Sequence, residues 1–355
     1  MPKNHTAIIG LENDFSPSEG KGIQRYTYEL HKNVSRFQSD FVVDAIKLAR
    51  LPIMGYGLSF SLKTFFADFS KYDIIHNPEP VAFIKPRFML GKCKLISTIH
   101  DFQPLLYPKL SFEHKKTIKD KIWIKVVIEQ GLLSAFNSDS IIANTKQTKR
   151  EAVSLGCDKD KVTVVNLGID NRFAFSKALK IAKHDKIFTV GYLGSMGKRK
   201  NVEFAVKTAN NIEDSCIRLL ICGKKESEYE YLKSISKNGT TSFEGSVSEE
   251  KLISTYDSFD AFIFPSFHEG FGLPILEAQA RSLPVIIYKK AHISEEVKKH
   301  CIEAEDPEHA AQIIRDLKEN GYNEKERRKA TEYAQSFTWE KTARETLEVY
   351  RKAIS

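Results

Sequence analysis

"FTVGYLGSMGKRKNVEFAVKTA", residues 188–209, runs from a strand-like stretch through a glycine-containing turn with three cations into a helical pattern. Strand, short loop and helix in that order form half of a βαβ unit, in which the helix returns the chain so that the next strand lies parallel. Gly194, Gly197, Lys198, Arg199 and Lys200 fall between the strand and the helix. Backbone N–H groups and cations can both engage phosphate there. The run is not a triphosphate loop, because Arg199 occupies the place of the Ser or Thr that would hold magnesium. A diphosphate ligand fits it better.

The same unit recurs on both sides. "TAIIGL", "FVVDAI", "YDIIHN", "KLISTIHD", "SIIANT" and "VTVVNLG" precede it, and "IRLLICG", "TSFEG", "AFIFPS" and "VIIYK" follow it, each separated by amphipathic or polar stretches. The pattern predicts an α/β protein with two doubly wound, Rossmann-like parallel sheets, residues 1–170 and 187–337, joined by a polar linker at 171–186. In "FTWEKTARETLEVYRKAI", Trp339, Ala343, Leu347 and Tyr350 share one helical face behind the N-cap candidate Thr338. This last helix, about 338–355, packs either on the first domain or on the second. Ligands of doubly wound sheets sit beyond the carboxyl ends of the strands, and two such domains leave a cleft for them.

With 355 residues, 41% hydrophobic and 28% charged, the chain can bury two cores. Its N-terminus lacks a signal peptide's pattern, and no uncharged apolar run reaches membrane-spanning length, so a cytoplasmic protein is expected. Its five cysteines, Cys93, Cys157, Cys216, Cys222 and Cys301, show neither a zinc spacing nor a disulfide framework. Residues 1–170 hold 24 Lys and Arg against 18 Asp and Glu, and residues 171–355 hold 30 against 28, so the excess base lies in the first half. That base can meet an anionic substrate or anionic lipid; no nucleic-acid motif accompanies it. The aromatic segment 51–66 and the run "HKKTIKDKIWIKVVI" are the candidates for peripheral membrane contact at the inner face, or else a buried helix and a solvated helix face.

The remaining strand exits supply further candidates. Gly20 and Gly22 precede a helical run after the first strand and read either as an anion-approach loop or as a plain turn. His100 and Asp101 follow "KLISTI", where an imidazole and a carboxylate could orient a hydroxyl nucleophile or simply cap the strand. Gly223, Ser246 and Val247 stand at two more exits. In "FHEGFGLPILEAQA", residues 267–280, Pro274 suits a helix start, so the amides of about Phe271 to Ile275 would form an anion site. Glu269 and Glu277 flank that start. In continuous helix their carboxylates would stand about 12 Å apart along the axis, against the roughly 5 to 9.5 Å of glycosidase pairs. The two acids therefore fit opposite ends of one long ligand better than a hydrolytic pair, while Glu277 alone could merely complement the helix dipole.

Together these stretches resemble the retaining nucleotide-sugar glycosyltransferases of family 4, also called glycosyl transferases group 1. Glu269 to Glu277 look like the family's pair of acids eight residues apart, Arg199-Lys200-Asn201 like its phosphate loop, and "GSVSEEKL" like its nucleotide loop. "GKGIQRYTYEL", "HDFQPLLYP", "VVNLGID" and the final helix are similar to its first-domain and crossing segments, so the resemblance covers nearly the whole chain. It implies a GT-B fold with the acceptor held mainly by the first domain and the donor by the second. It places Glu269 near the transferred sugar, Glu277 near the ribose, Arg199, Lys200 and the amides around Gly270, Phe271, Gly272 and Leu273 on the diphosphate, and His100 near sugar or acceptor.

The implied activity is metal-independent, cofactor-free transfer from a nucleotide diphospho-sugar to a glycan, lipid-linked or other hydroxyl acceptor, in cell-envelope or surface polysaccharide assembly. Two other readings share the architecture: a sugar-nucleotide-binding partner subunit without catalysis, and a nucleotide-sugar epimerase or phosphorylase. The sequence departs from the family at Ser282, where glycine is common, and at Leu167, inserted between Asn166 and Gly168. A serine is expected to serve at 282 if its φ stays negative.

Overall fold

Each of the eleven strand-like runs holds a strand in the computed structural model, which describes residues 4–11, 22–37, 40–48, 63–79, 87–106, 129, 132–133, 135–174, 187–237 and 239–355. The first six are β1 (Asn4–Leu11), β2 (Phe41–Leu48), β3 (Ile74–Asn77), β4 (Lys94–Ile99), β5 (Ser140–Ala143) and β6 (Val162–Val164). The next five are β7 (Phe188–Leu193), β8 (Ile217–Cys222), β9 (Thr241–Glu244), β10 (Ala261–Phe264) and β11 (Val285–Tyr288), and a twelfth, β12 (Ile302–Ala304), follows them. They form two parallel sheets, ordered β2-β1-β3-β4-β5-β6 and β12-β11-β10-β7-β8-β9. All four residues of β3 and all six of β7 are buried, which is why these strands read as unbroken apolar runs and not as alternating ones.

The longer helices are α1 (Gly22–Val34), α2 (Lys146–Ser154), α3 (Val202–Asn210), α4 (Tyr229–Ile235), α5 (Glu249–Ser258), α6 (Leu273–Ala280), α7 (Pro307–Asn320), α8 (Glu324–Gln335) and α9 (Trp339–Ile354). Contacts divide the chain into one unit of Met1–Gly168 with Thr338–Ser355 and another of Ile169–Phe337. The second sheet has its topological switch point between β7 and β10, the first between β1 and β3. Loops leaving those strands diverge, and the gap between them is where doubly wound sheets bind ligands.

In the first unit, α9 packs on α1 and the sheet. Thr338 Oγ1 accepts the Lys341 N–H at 3.1 Å, and Trp339, Ala343, Leu347 and Tyr350 are buried. At Gly168 a Cβ would stand 2.1 Å from the Trp339 backbone nitrogen, so only glycine lets the segments pass. Leu167 leaves that glycine in place. The crossing is secured by Asn166, whose Nδ2 donates to Asn144 O at 2.8 Å and whose carbonyl accepts from Thr342 Oγ1 at 2.7 Å.

Ser282 departs from the sequence-based expectation: its φ is +62°, in the left-handed region. The α6 carbonyl ladder ends there, with Ser282 N donating to Gln279 O at 2.9 Å and the hydroxyl 3.1 Å from Thr331 Oγ1 on α8. The side chain thus offsets part of a cost that glycine would avoid. Asn171–Ala174, the start of the expected linker, form one 3₁₀ turn of the second unit with Phe173 fully buried; residues 175–186 lie outside the described residues.

Candidate functional site

The site in the second unit is built from the loops that leave β7, β8 and β10. Gly223, after β8, touches the Gly194 carbonyl after β7 so closely that a Cβ would stand 1.8 Å from that oxygen. The β7 loop then makes a 3₁₀ turn, Lys198–Lys200, and Asn201 ends it in the left-handed conformation (φ 50°, ψ 41°) at the start of α3. Two bonds stitch this turn to the loop after β10: Asn201 Nδ2 donates to Pro265 O at 3.0 Å, and Phe267 N donates to Arg199 O at 3.0 Å. On the far side, His268 bridges to His292 and Glu269 N donates to His292 O at 3.1 Å.

These ties bring Arg199, Lys200 and Glu269 together. Lys200 Nζ lies 2.7 Å and Arg199 Nη1 3.1 Å from Glu269 Oε1, and Arg199 Nη1 also donates to His268 O at 2.7 Å. The Glu269 residue is only 9% exposed. Burial alone would raise its pKa, but the charges of Lys200 and Arg199 outweigh that and hold the carboxyl at about 2. Burial and Arg199 pull Lys200 below the ordinary lysine range, against the attraction of Glu269. Glu269 is therefore a fixed anion at neutral pH, an acceptor of hydrogen bonds and not a proton donor.

Helix α6 begins beside it. Gly272, the N-cap, has φ +98°, which leaves the preceding amides outside the helical ladder. The expected amide site is narrower than Phe271 to Ile275, because Ile275 N donates to Gly272 O at 3.0 Å and Pro274 carries no N–H. The amides of Gly270, Phe271, Gly272 and Leu273 have no backbone acceptor among the described residues. Residues 269–272 precede the helix, so the span estimated for a continuous helix does not apply. Glu277 lies within α6, 4% exposed, and accepts the Tyr256 hydroxyl at 2.8 Å through Oε2. It is a buried, oriented acid, not a surface charge. Ser246, exposed, and Val247, half-buried, stand between β9 and α5.

In the first unit, Gly22 is the exposed first residue of α1, and Gly20 lies outside the described residues. His100 Nε2 stands 3.0 Å from Pro78 O, and its ring meets Tyr26 edge-on at 4.8 Å. Opposite a carbonyl, Nε2 must carry the proton, leaving Nδ1 as an acceptor. Burial lowers the His100 pKa, so the ring is neutral. Asp101 Oδ1 accepts the Gln103 N–H at 3.0 Å at the start of the turn Gln103–Leu106. Sequence reasoning missed the chain behind His100, in which Tyr350 OH, His76 Nδ1 and Nε2, Thr98 Oγ1 and Tyr26 OH are joined at 2.6, 2.7 and 2.9 Å. It also missed Tyr256. No local signal marks either, because buried histidine and tyrosine among apolar neighbours look like core. No group of metal-binding side chains occurs among the described residues.

Comparison with known proteins matches residues 173–337 to the family described as "Glycosyl transferases group 1" and residues 29–173 to "Glycosyltransferase Family 4". The chain is 27% identical over 236 residues to D-inositol 3-phosphate glycosyltransferase of Paenarthrobacter aurescens, a match covering 61% of this chain and 58% of that one. It is 29% identical over 171 residues to O-antigen chain mannosyltransferase B of Escherichia coli, covering 45% of each. The matched part thus spans about half the length of these relatives. Among solved structures, sucrose-phosphate synthase from Thermosynechococcus elongatus superposes with a TM-score of 0.76 at 18% identity over 99% of both chains. HepE from Anabaena, in complex with UDP-glucose, does so with a TM-score of 0.69 at 14% identity over 98% of this chain and 99% of that one. The fold is GT-B.

Proposed function

The chain belongs to the group 1 glycosyltransferases, and from that premise we propose that it moves a sugar, with retention, from a nucleotide diphospho-sugar to a hydroxyl of a glycan or lipid-linked acceptor in surface-polysaccharide or glycoconjugate assembly. The observation that carries this reading is the junction of Arg199 and Lys200, the amides ahead of α6 and the anionic Glu269 at one switch point. The departing nucleoside diphosphate accumulates negative charge as the glycosidic bond breaks. Two fixed cations and a helix start stabilise that charge without reorganising. Glu269, held as an anion, accepts hydrogen bonds from the transferred sugar; the acceptor hydroxyl attacks the face the leaving group vacates, and its proton passes to the departing diphosphate oxygen as the sugar–phosphate bond breaks. His100, neutral with an accepting Nδ1, orients sugar or acceptor. No bound metal or cofactor takes part in this scheme. The UDP-glucose complex of HepE and the O-antigen relative support the donor class and the setting.

A thermal-shift screen against UDP-, GDP-, ADP- and dTDP-sugars tests this. One donor class at 100 times its Kd should stabilise the protein by about 2.7 kcal/mol, and Arg199→Ala should abolish the shift. Equal shifts in Arg199→Ala, or none with any donor, would remove the basis of the assignment.

The same reading includes peripheral contact with an anionic membrane. No helix among the described residues is long and apolar enough to cross one. Contact is supported by Phe66 and Phe88, 75% and 84% exposed, and by the basic first half; residues 51–62 and the basic run 114–128 lie outside the described residues. Sedimentation with anionic vesicles at low salt, lost at high salt, is expected, and no binding at low salt would refute it.

A further inference from the structure

We infer that Tyr26, on α1, is a positioning residue whose ring holds the His100 imidazole in one orientation and one tautomer, with Nε2 protonated and Nδ1 bare. The inference rests on the part given to His100 in the proposed transfer, and goes beyond it by naming the residue that leaves a bare Nδ1 as the only form on offer.

The backbone sets the geometry. Thr98 lies on β4, and His100 follows the last residue of that strand, so the two side chains leave the chain on the same side. Beside β4 runs β3, parallel, with Asn77 opposite Ser97, which brings the Pro78 carbonyl next to the exit of β4. There His100 Nε2 meets it at 3.0 Å.

One hydrogen bond does not fix an imidazole. The torsion about its Cβ–Cγ bond is soft, and a turn about it takes Nε2 off the carbonyl, after which both neutral tautomers are open. Tyr26 blocks that turn. Its ring centroid stands 4.8 Å from that of His100 with the planes at 80°, the edge-to-face arrangement that aromatic pairs favour. It can serve as a stop because it is itself held. Tyr26 is 1% exposed, its hydroxyl lies 2.9 Å from Thr98 Oγ1, and Trp339 of α9 packs on it at 6.2 Å between centroids. Thr98 is anchored in turn, buried and 2.7 Å from His76 Nε2. His100 is only half-buried. The imidazole is therefore within reach of a ligand, while the ring that orients it is not.

Nitrogen-15 spectra of histidine-labelled protein at neutral pH read the tautomer of each uncharged ring, and His100→Gln identifies the His100 signals by their loss. In wild type, Nε2 should be protonated and Nδ1 bare. Tyr26→Phe, which keeps the ring, should preserve that pattern, whereas Tyr26→Leu should admit the Nδ1-protonated tautomer to about a tenth of the population or more. A tyrosine that serves only the core would lower the melting temperature of Tyr26→Leu and leave the His100 signals as in wild type. That result overturns the inference, as does a mixture of tautomers in wild type. Should Tyr26→Leu not fold, proton–proton Overhauser contacts between the His100 ring and the ring at position 26 are expected in wild type and in Tyr26→Phe, and their absence overturns it.

Consumption of the nucleotide sugar picked out by the thermal-shift screen separates this inference from the reading beneath it. Tyr26→Leu should slow consumption about tenfold with donor affinity unchanged, and should slow it no further in the His100→Gln background. Equal slowing in both backgrounds would mean that Tyr26 does not act through His100. Unimpaired consumption by His100→Gln alone removes His100 from the proposed transfer, while the spectra still decide whether Tyr26 holds it.

Discussion

Replacing Glu269 by glutamine is expected to lower the transfer rate by about 10²- to 10³-fold while nucleoside diphosphate still binds, the loss that follows removal of one preorganised group from a reacting centre. Two effects compete in this variant. The amide keeps the shape and can still accept from Lys200, but the charge that balances a buried ammonium and Arg199 is gone. Breaking a buried pair costs about 3 to 5 kcal/mol when nothing replaces it. Here the cost is smaller, because the Arg199 side chain is 33% exposed and hydrates. The variant should melt at a lower temperature yet fold, and the diphosphate, itself an anion, should restore part of the loss. Single-turnover transfer and diphosphate affinity, measured on one preparation, separate the two effects. Wild-type turnover in the variant would remove Glu269 from the reacting centre. Because its pKa is about 2, this carboxylate should impose no acid limb on the rate above about pH 4.

Glu269 also shows where reading the sequence ends. Strand runs such as "FTVGYL" and "AFIF" were legible because strands buried on both faces must be apolar throughout. The three residues of β12 escaped, since an edge strand that short, with an exposed Glu303 at its centre, carries neither run nor alternation. Arg199, Lys200 and Glu269 were each visible as polar residues after strands. Their pairing was not, for it spans 69 positions for Lys200 and depends on β10 lying parallel beside β7, with Ala261 opposite Val190. The narrower amide site and the positive φ of Ser282 were hidden for a related reason: both depend on the hydrogen bonds that close particular turns, which residue type alone does not determine. The chemistry-bearing types could be read in one dimension, and the charge state they impose on one another only in three.

Acidification should unfold the first unit by way of His76, a residue with no part in the proposed chemistry. Its side chain is 0% exposed on β3, held between Tyr350 OH at 2.6 Å and Thr98 Oγ1 at 2.7 Å, and it ties α9 to the sheet. Burial, reinforced by the nearby His100, lowers its pKa from 6.5 to about 3. The folded pKa is thus the lower one, and between pH 6.5 and 3 the unfolded chain binds a proton that the folded chain does not. Stability is unaffected above pH 6.5 and falls as pH drops through that window, by up to about 1.4 kcal/mol per unit. At pH 5 the loss is about 2 kcal/mol, a large share of the 5 to 15 kcal/mol that usually holds a domain together. Burial lowers His100 as well, which adds in the same direction, so the contribution of His76 must be isolated by difference. His76→Gln can still bond Thr98 and Tyr350 but does not titrate. Trp339, buried on α9, belongs to the first unit, so urea unfolding followed by tryptophan fluorescence reports on it. Between pH 7 and 5 the stability of wild type should fall about 2 kcal/mol more than that of His76→Gln. Parallel pH profiles for the two proteins would mean that the folded state admits the proton, and that α9 is held to the sheet by its buried apolar face alone.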